Sequence, residues 1–212
     1  MMLANLNNKK GFTLAEVLIT LAIIGVVASM TIPALMNNVN DEQYKVEWKS
    51  IFSDFSQAYL RVLTDTGHNF ANVAAMRDAF LPYMITANTC TYPQTGCWHS
   101  ASTPAKTMPL SDGTQYNLAV NPYTNSVSGL VLNNGALVIF YWDSAAMGWM
   151  MTDVNGFKGP NVLGKDIFGA RFNGTTTTPF SEIEMGACSP AAAGVAGNGY
   201  IGLGCSSYYL TH

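Results

Sequence analysis

Glu16 is the single charge in a 25-residue stretch, Phe12 to Met36, that could otherwise sit in hydrocarbon. A carboxylate there costs about 2.5 to 3.5 kcal/mol on insertion scales, so its chemistry is the recruitment of a partner. Four cysteines form a second group: Cys90, Cys97, Cys188 and Cys205. If the segment after the apolar stretch is exported, an even number favours disulfides, and four cysteines allow three connectivities. Proximity in the chain favours Cys90 with Cys97 and Cys188 with Cys205. A metal site on Cys90, Cys97 and His99 is the alternative, but these spacings lack the usual C-x-x-C half. A third group lies between Asp153 and Asp166, where Asp153, Asn155 and Asp166 space oxygen side chains along a Gly-rich loop in the manner of calcium loops. That loop has no closing bidentate Glu and carries Lys158 and Lys165, which favours the reading of Asx turns in a β-connection over a calcium site. No other cofactor is expected.

Enzymatic constellations are missing from the sequence. The three histidines are His68, His99 and His212, and neither a G-x-S-x-G elbow nor H-E-x-x-H occurs. Glu182 and Glu184 could form a carboxylate pair, yet their spacing is that of the solvated side of a strand. The expectation is a protein that is not an enzyme.

These groups are carried by a chain with 10 Lys+Arg against 13 Asp+Glu, a net charge of −3, so no basic field exists to hold nucleic acid by counterion release. Charged residues are only 11% of the total, against roughly 25% in an average soluble domain. A surface so neutral is poor at keeping molecules apart and favours packing against copies of itself or a partner.

The element that must position Glu16 is a helix. About 20 apolar residues span a bilayer, and Phe12 to Met36 suffices. Lys9 and Lys10 precede it, so the leader should stay cytoplasmic and the remainder lie outside. An ordinary cleaved secretory signal competes with this reading, but Glu16 and the continuation of a helical pattern count against it. Beyond Pro33, the residues Leu35, Val39, Val46, Ile51, Phe52, Phe55, Tyr59, Val62 and Leu63 recur at helical spacings, with Asp41, Glu42, Lys45, Lys49, Asp54 and Arg61 on the remaining turns. One helix from about Phe12 to Leu63 is expected, apolar all round at first and amphipathic later, bent at Gly25 or Pro33.

The string Lys9-Lys10-Gly11-Phe12-Thr13-Leu14-Ala15-Glu16, heading an apolar run, resembles the class III signal and helix start of type IV pilins and type II secretion pseudopilins. The resemblance implies that a prepilin peptidase cuts between Gly11 and Phe12 and methylates the new amine, and that Glu16 becomes the fifth residue of the mature chain. Pro33 matches a helix-kinking proline of that family. By the same resemblance, Glu16 pairs with the Phe12 ammonium of a neighbouring copy and sets register, and some pseudopilins carry a calcium loop late in the sheet. The implied partners are the peptidase, other copies or related pilins, the inner-membrane assembly machinery and the membrane itself. The implied location is the inner membrane with an exported head, then a filament at the cell surface or in the periplasm. A secretion pseudopilin, or an anchored binding or adhesion protein that never polymerises, are the rival readings.

The parts are then a leader over 1–11, a transmembrane and assembly helix over 12–36, an amphipathic continuation over 37–66 and an exported head over 67–212 with a disulfide-closed C-terminal loop. Within the head a helical turn is expected around Val73 to Leu81. Strands are expected at Thr114 to Val120, at Gly129 to Leu132 and Ala136 to Trp142 as a hairpin across Asn134-Gly135, at Trp149 to Val154, and last at Asp166 to Asn173. An antiparallel sheet lying on the amphipathic helix, burying Phe52, Phe55 and Tyr59, makes the fold class α+β.

Overall fold

The longest element follows directly from the apolar run and the helical spacing after it. In the computed structural model, which describes residues 11–67, 69–91, 94, 96–98, 106–109, 115–117, 127–144, 147–159, 161–185, 188 and 202–212, helix α1 runs Leu14–Thr66 and continues through both Gly25 and Pro33. The chain divides into two compact units, Met1–Asn40 and Asp41–His212.

In the first unit, Leu14–Pro33 is long and apolar enough to cross a membrane. Its few hydroxyls are satisfied inside the helix: Thr20 donates to Val17 O, Ser29 to Val26 O and Thr31 to Val27 O, at 2.8 to 3.1 Å. These back-bonds let polar residues occupy an apolar helix without exposing an unmatched donor.

The second unit is α+β, with a six-stranded antiparallel sheet. Helix α2 (Val73–Phe80) is opened by Asn72, whose side chain accepts from Ala75 N–H at 2.9 Å, and a 3₁₀ turn (Leu81–Tyr83) follows. The strands are β1 (Thr86–Thr91), β2 (Lys106–Pro109), β3 (Gln115–Asn117), β4 (Val127–Leu132), β5 (Leu137–Ser144), β6 (Met147–Asp153), β7 (Ile167–Asn173) and β8 (Thr176–Pro179). The sheet order is β1-β4-β5-β6-β7-β8, and β2 pairs with β3 apart from it. Short helices α3 (Glu182–Met185) and α4 (Cys205–Thr211) complete the described chain. The hairpin turns where Asn-Gly predicts, with Gly135 at φ +92° and the Asn134 side chain accepting from Ala136 N–H at 3.1 Å.

Both faces of the sheet are buried at its inner strands, β4 to β7, which explains why these read as largely continuous apolar runs. On one face, Leu130, Val138, Phe140, Met150, Phe168 and Phe172 pack against Trp48, Ile51, Phe55, Tyr59 and Val62 of α1 and Phe80 of α2. On the other, Val127, Ile139, Met151 and Ile167 meet Trp98, Leu163, Phe180, Leu203 and the Cys90–Cys97 pair. Gly169 is required on that second face, because a Cβ there would lie 2.5 Å from the ring of Phe180.

Several expectations change. Asp166 to Asn173 does not hold the last strand: Gly174, at φ +57°, turns the chain into β8, a polar edge strand with no apolar alternation to announce it. Strand β1 is missed for the same reason, since Thr-Ala-Asn-Thr carries exposed side chains on a sheet edge. Glu182 and Glu184 lie on a helical turn, not on a strand. Glu184 Oε2 accepts from Ser181 Oγ at 3.2 Å and its Oε1 from Arg171 at 2.8 Å, while Glu182 accepts from Cys188 N–H at 2.7 Å. Val46 is 65% exposed and takes no part in the packing face, whereas Trp48, which the helical pattern left out, is fully buried and the largest side chain on it. The middle of the Thr114 to Val120 expectation is β3; the rest of it, and Lys9, Lys10, His68 and His99, lie outside the described residues.

The disulfides are Cys90–Cys97 and Cys188–Cys205. The second ties the chain after α3 to the start of α4, which is itself clamped: Ser206 Oγ accepts from Gly169 N–H at 2.9 Å and Ser206 O accepts from the Trp48 indole at 2.9 Å. Its 17-residue separation is worth about 3 kcal/mol on the chain-entropy view. Non-reducing peptide mapping of the protein is therefore expected to recover both links and no free thiol, and four free thiols would overturn the pairing.

Candidate processing and assembly site

Gly11, Phe12 and Thr13 precede the first helical residue and are exposed, Phe12 at 90%. The Gly11–Phe12 peptide bond therefore lies outside α1, in backbone that is not committed to helical hydrogen bonds. The helix begins where it does because Thr13 and Glu16 form a capping box. Thr13 Oγ1 accepts from Glu16 N–H at 3.2 Å, while Glu16 Oε2 accepts from Thr13 N–H at 2.8 Å and from Thr13 Oγ1 at 2.9 Å. Two donors that a helix start leaves orphaned are thus matched reciprocally. Among the described residues no cation pairs with Glu16. Thr13 is the residue of this helix start that reading by charge misses. Its signal is Thr-x-x-Glu immediately before an apolar run.

The candidate oxygen cluster in the second unit is organised inward. Asp166 is fully buried; its Oδ1 accepts from Val162 N–H at 2.6 Å and its Oδ2 from Asn161 N–H at 2.7 Å and from Asn155 Nδ2 at 3.0 Å. Burial pushes its carboxyl above the ordinary value, against the pull of those hydrogen bonds. Asn155 Nδ2 also donates to Gly159 O at 3.1 Å, and Asp153, equally buried, leads into the loop as its backbone carbonyl accepts from Gly156 N–H at 3.3 Å. Asn161 takes φ +56°, a left-handed conformation that Asn tolerates. Asp166 is thus satisfied by its own loop, while the buried Oδ1 of Asn155 accepts no hydrogen bond from the described residues. Among the described residues no group of three His, Cys, Asp or Glu side chains is placed to hold a metal ion.

Lys165, the cation expected to repel a dication, is 3.0 Å from Asp41 at the start of the second unit. Cys90 and Cys97 are closed on each other and pack with Trp98. Gly25 and Pro33 lie within α1, eleven and nineteen residues past the first helical residue.

Neither the curated proteins nor the solved structures compared with this chain match it. One family model does match, that of the prokaryotic N-terminal methylation motif, over residues 6–32. It spans Gly11, Phe12, Thr13 and Glu16, the residues of the exposed bond and the capping box, together with most of the apolar part of α1. The chain thus carries the N-terminal methylation motif, the class III signal sequence typical of type IV pilins and pseudopilins.

Proposed function

We propose that this chain is a prepilin-type structural subunit, cut by a prepilin peptidase between Gly11 and Phe12, methylated on the Phe12 amine, and polymerised through its N-terminal helix into a type IV pilus or pilus-like filament. The observation that carries this reading is the methylation motif over residues 6–32, placed on an exposed peptide bond followed by a capped apolar helix. The helix surface supports it. Leu18, Ile19, Leu21, Ile24, Val26 and Met30 point around α1 and are all more than half exposed, so a single chain leaves them bare. Lipid covers them before assembly and neighbouring copies cover them afterwards.

In this scheme residues 1–11 are the leader, 12–36 the membrane and assembly helix with Gly25 and Pro33 as its points of bending, 37–66 its amphipathic continuation and 67–212 the exported head. The subunit waits in the inner membrane and is drawn into the filament by the assembly machinery. Glu16 is offset by the Phe12 ammonium of the adjoining copy, which fixes axial register at some cost in stability. A secretion pseudopilus uses the same chemistry at its N-terminus.

The test is intact-mass and N-terminal peptide analysis together with imaging of sheared surface filaments. The mature protein is expected to begin at Phe12 with one added methyl on its amine and to be found in filaments. Chains beginning after Ala28 or Ala34 would mean an ordinary secretory signal instead.

A further inference from the structure

Within the second unit, α1 and β7 run side by side in the same direction. Lys165 Nζ stands 3.0 Å from Asp41, Trp48 stacks on Phe168 at 5.2 Å, and Tyr59 meets the Phe172 ring at 5.0 Å while its hydroxyl donates to Gly174 O at 3.4 Å. From Asp41 to Tyr59 a helix rises about 27 Å, and from Lys165 to Gly174 an extended chain advances about 30 Å. The two therefore stay in step, and the loop that leads into β7 lies at the pole where α1 enters the unit at Asp41. The tip of that loop is fixed. Asn155 Nδ2 donates to Asp166 Oδ2 at 3.0 Å and to Gly159 O at 3.1 Å, and Gly156 sits so close to the Asn134-Gly135 turn that a Cβ would lie 2.3 Å from Gly135 O. Past those ties Phe157, Lys158 and Gly159 are exposed in succession, Phe157 at 56%, whereas every other phenylalanine of the unit is buried or partly so.

The chain between this pole and the apolar span is short. The span ends at Pro33, and the stretch from there to Asp41 covers about 12 Å as a helix and no more than about 28 Å fully extended. We propose that the Phe157-Lys158 tip is a membrane-interface contact: the phenyl ring settles among the headgroups, the ammonium meets an anionic lipid phosphate, and the second unit is held against the bilayer while the chain waits as a monomer. The inference rests on the reading of Leu14–Pro33 as a membrane span within a prepilin-type subunit. An apolar ring beside a cation suits this boundary, since the ring gains from the edge of the acyl region and the charge is drawn to a negative surface. A loop already closed by its own hydrogen bonds loses little freedom on docking. Lys165, the loop's other cation, is engaged by Asp41, so the test falls on Lys158.

The experiment uses the full chain with Phe157→Trp, reconstituted in vesicles of equimolar phosphatidylcholine and phosphatidylglycerol that carry bromine just below the headgroups. Both altered side chains are exposed, so the fold is expected to tolerate the changes. Emission of the added tryptophan, taken as the difference from the unsubstituted chain, is expected to be blue-shifted and quenched by the brominated lipid. Adding Lys158→Gln is expected to lower the ratio of quenched to unquenched tryptophan about fivefold, the effect of one charge at an anionic surface, and to change nothing in vesicles of phosphatidylcholine alone.

A water-like, unquenched emission from a chain that floats with the vesicles overturns the proposal and leaves the span and the subunit reading standing. A blue shift that grows with protein density but is not quenched also overturns it, because it marks a second copy as what covers the tip. Equal quenching with and without Lys158→Gln in the anionic vesicles overturns it too, since the loop is then near lipid without being held by its charge. A chain that does not float with the vesicles sinks the span itself, and the subunit reading together with this contact.

Discussion

Glu16→Gln is expected to reach the membrane and to be cleaved between Gly11 and Phe12, yet to enter filaments about a hundredfold less well than wild type, the scale of breaking a buried ion pair. Gln is the informative substitution because it serves at the third helical position of a capping box as Glu does, so the helix start over Thr13 to Glu16 survives. Only the charge is removed. The monomer in lipid should become more comfortable, since a neutral amide costs less there than a carboxylate, while the attraction for the incoming Phe12 ammonium is lost. Glu16→Ala removes charge and capping together, and any difference between the two variants measures the box. Neither change is expected to alter the second unit, whose fully buried hydrophobic residues begin, among the described residues, at Trp48, with Tyr44 packed against them. The measurement is the ratio of sheared-filament to membrane-fraction protein in cells with each variant as sole copy. A wild-type ratio from Glu16→Gln would mean that the carboxylate does not direct assembly, and would favour a simple membrane anchor.

What the sequence makes legible follows the strength of the physical signal at each place. A carboxylate in an apolar run is costly, so Glu16 is conspicuous. The Thr13 hydroxyl costs nothing where it stands, and only its three-residue spacing from Glu16 betrays it. The same spacing recurs at Ser181 and Glu184, where Glu184 Oε2 accepts from Ser181 Oγ at 3.2 Å, and there too alternation of charge suggests a strand while the capping pattern marks a helix start. Asn134-Gly135 is a visible hairpin because apolar strands flank it. Asn173-Gly174 also opens a hairpin, but it leads into Thr176–Pro179, a Thr-rich edge strand that is exposed and half-buried by turns, and so the strand after it goes unread. The oxygen spacing of Asp153, Asn155 and Asp166 is equally compatible with a cation or with backbone donors. Only three-dimensional placement shows Asp166 receiving two N–H groups and an amide from its own loop.

Register on the helix is a harder problem, and Trp48 shows why. Trp48 stands seven residues before Phe55 and eleven before Tyr59, on their face of the helix, whereas Val46 stands nine and thirteen before them, on the opposite face, and a list of apolar residues at spacings of three, four and seven runs the two stripes together. The face that packs is Trp48, Ile51, Phe55, Tyr59 and Val62, because the aromatic rings of the sheet require large partners. Trp48 stacks on Phe168 at 5.2 Å and 19°, meets Phe52 at 5.4 Å, and donates its indole N–H to Ser206 O at 2.9 Å. It thereby joins α1 to β7 and to the helix that carries Cys205. Trp48→Ala is expected to destabilise the head by about 3 to 5 kcal/mol through the cavity alone. In a chain of 212 residues that lowers the melting temperature by roughly 10 °C. Trp48→Phe keeps an aromatic ring on Phe168 but gives up the indole donor, and should cost about 1 to 2 kcal/mol. Val46→Ala, on a side chain 65% exposed, should change the monomer by less than about 0.5 kcal/mol. Thermal melts of the detergent-solubilised mature protein, followed by near-ultraviolet circular dichroism, order the three. If Val46→Ala proves as damaging as Trp48→Ala, the helix packs by its other stripe, and the second unit is assembled on a different face of α1 from the one that buries Trp48.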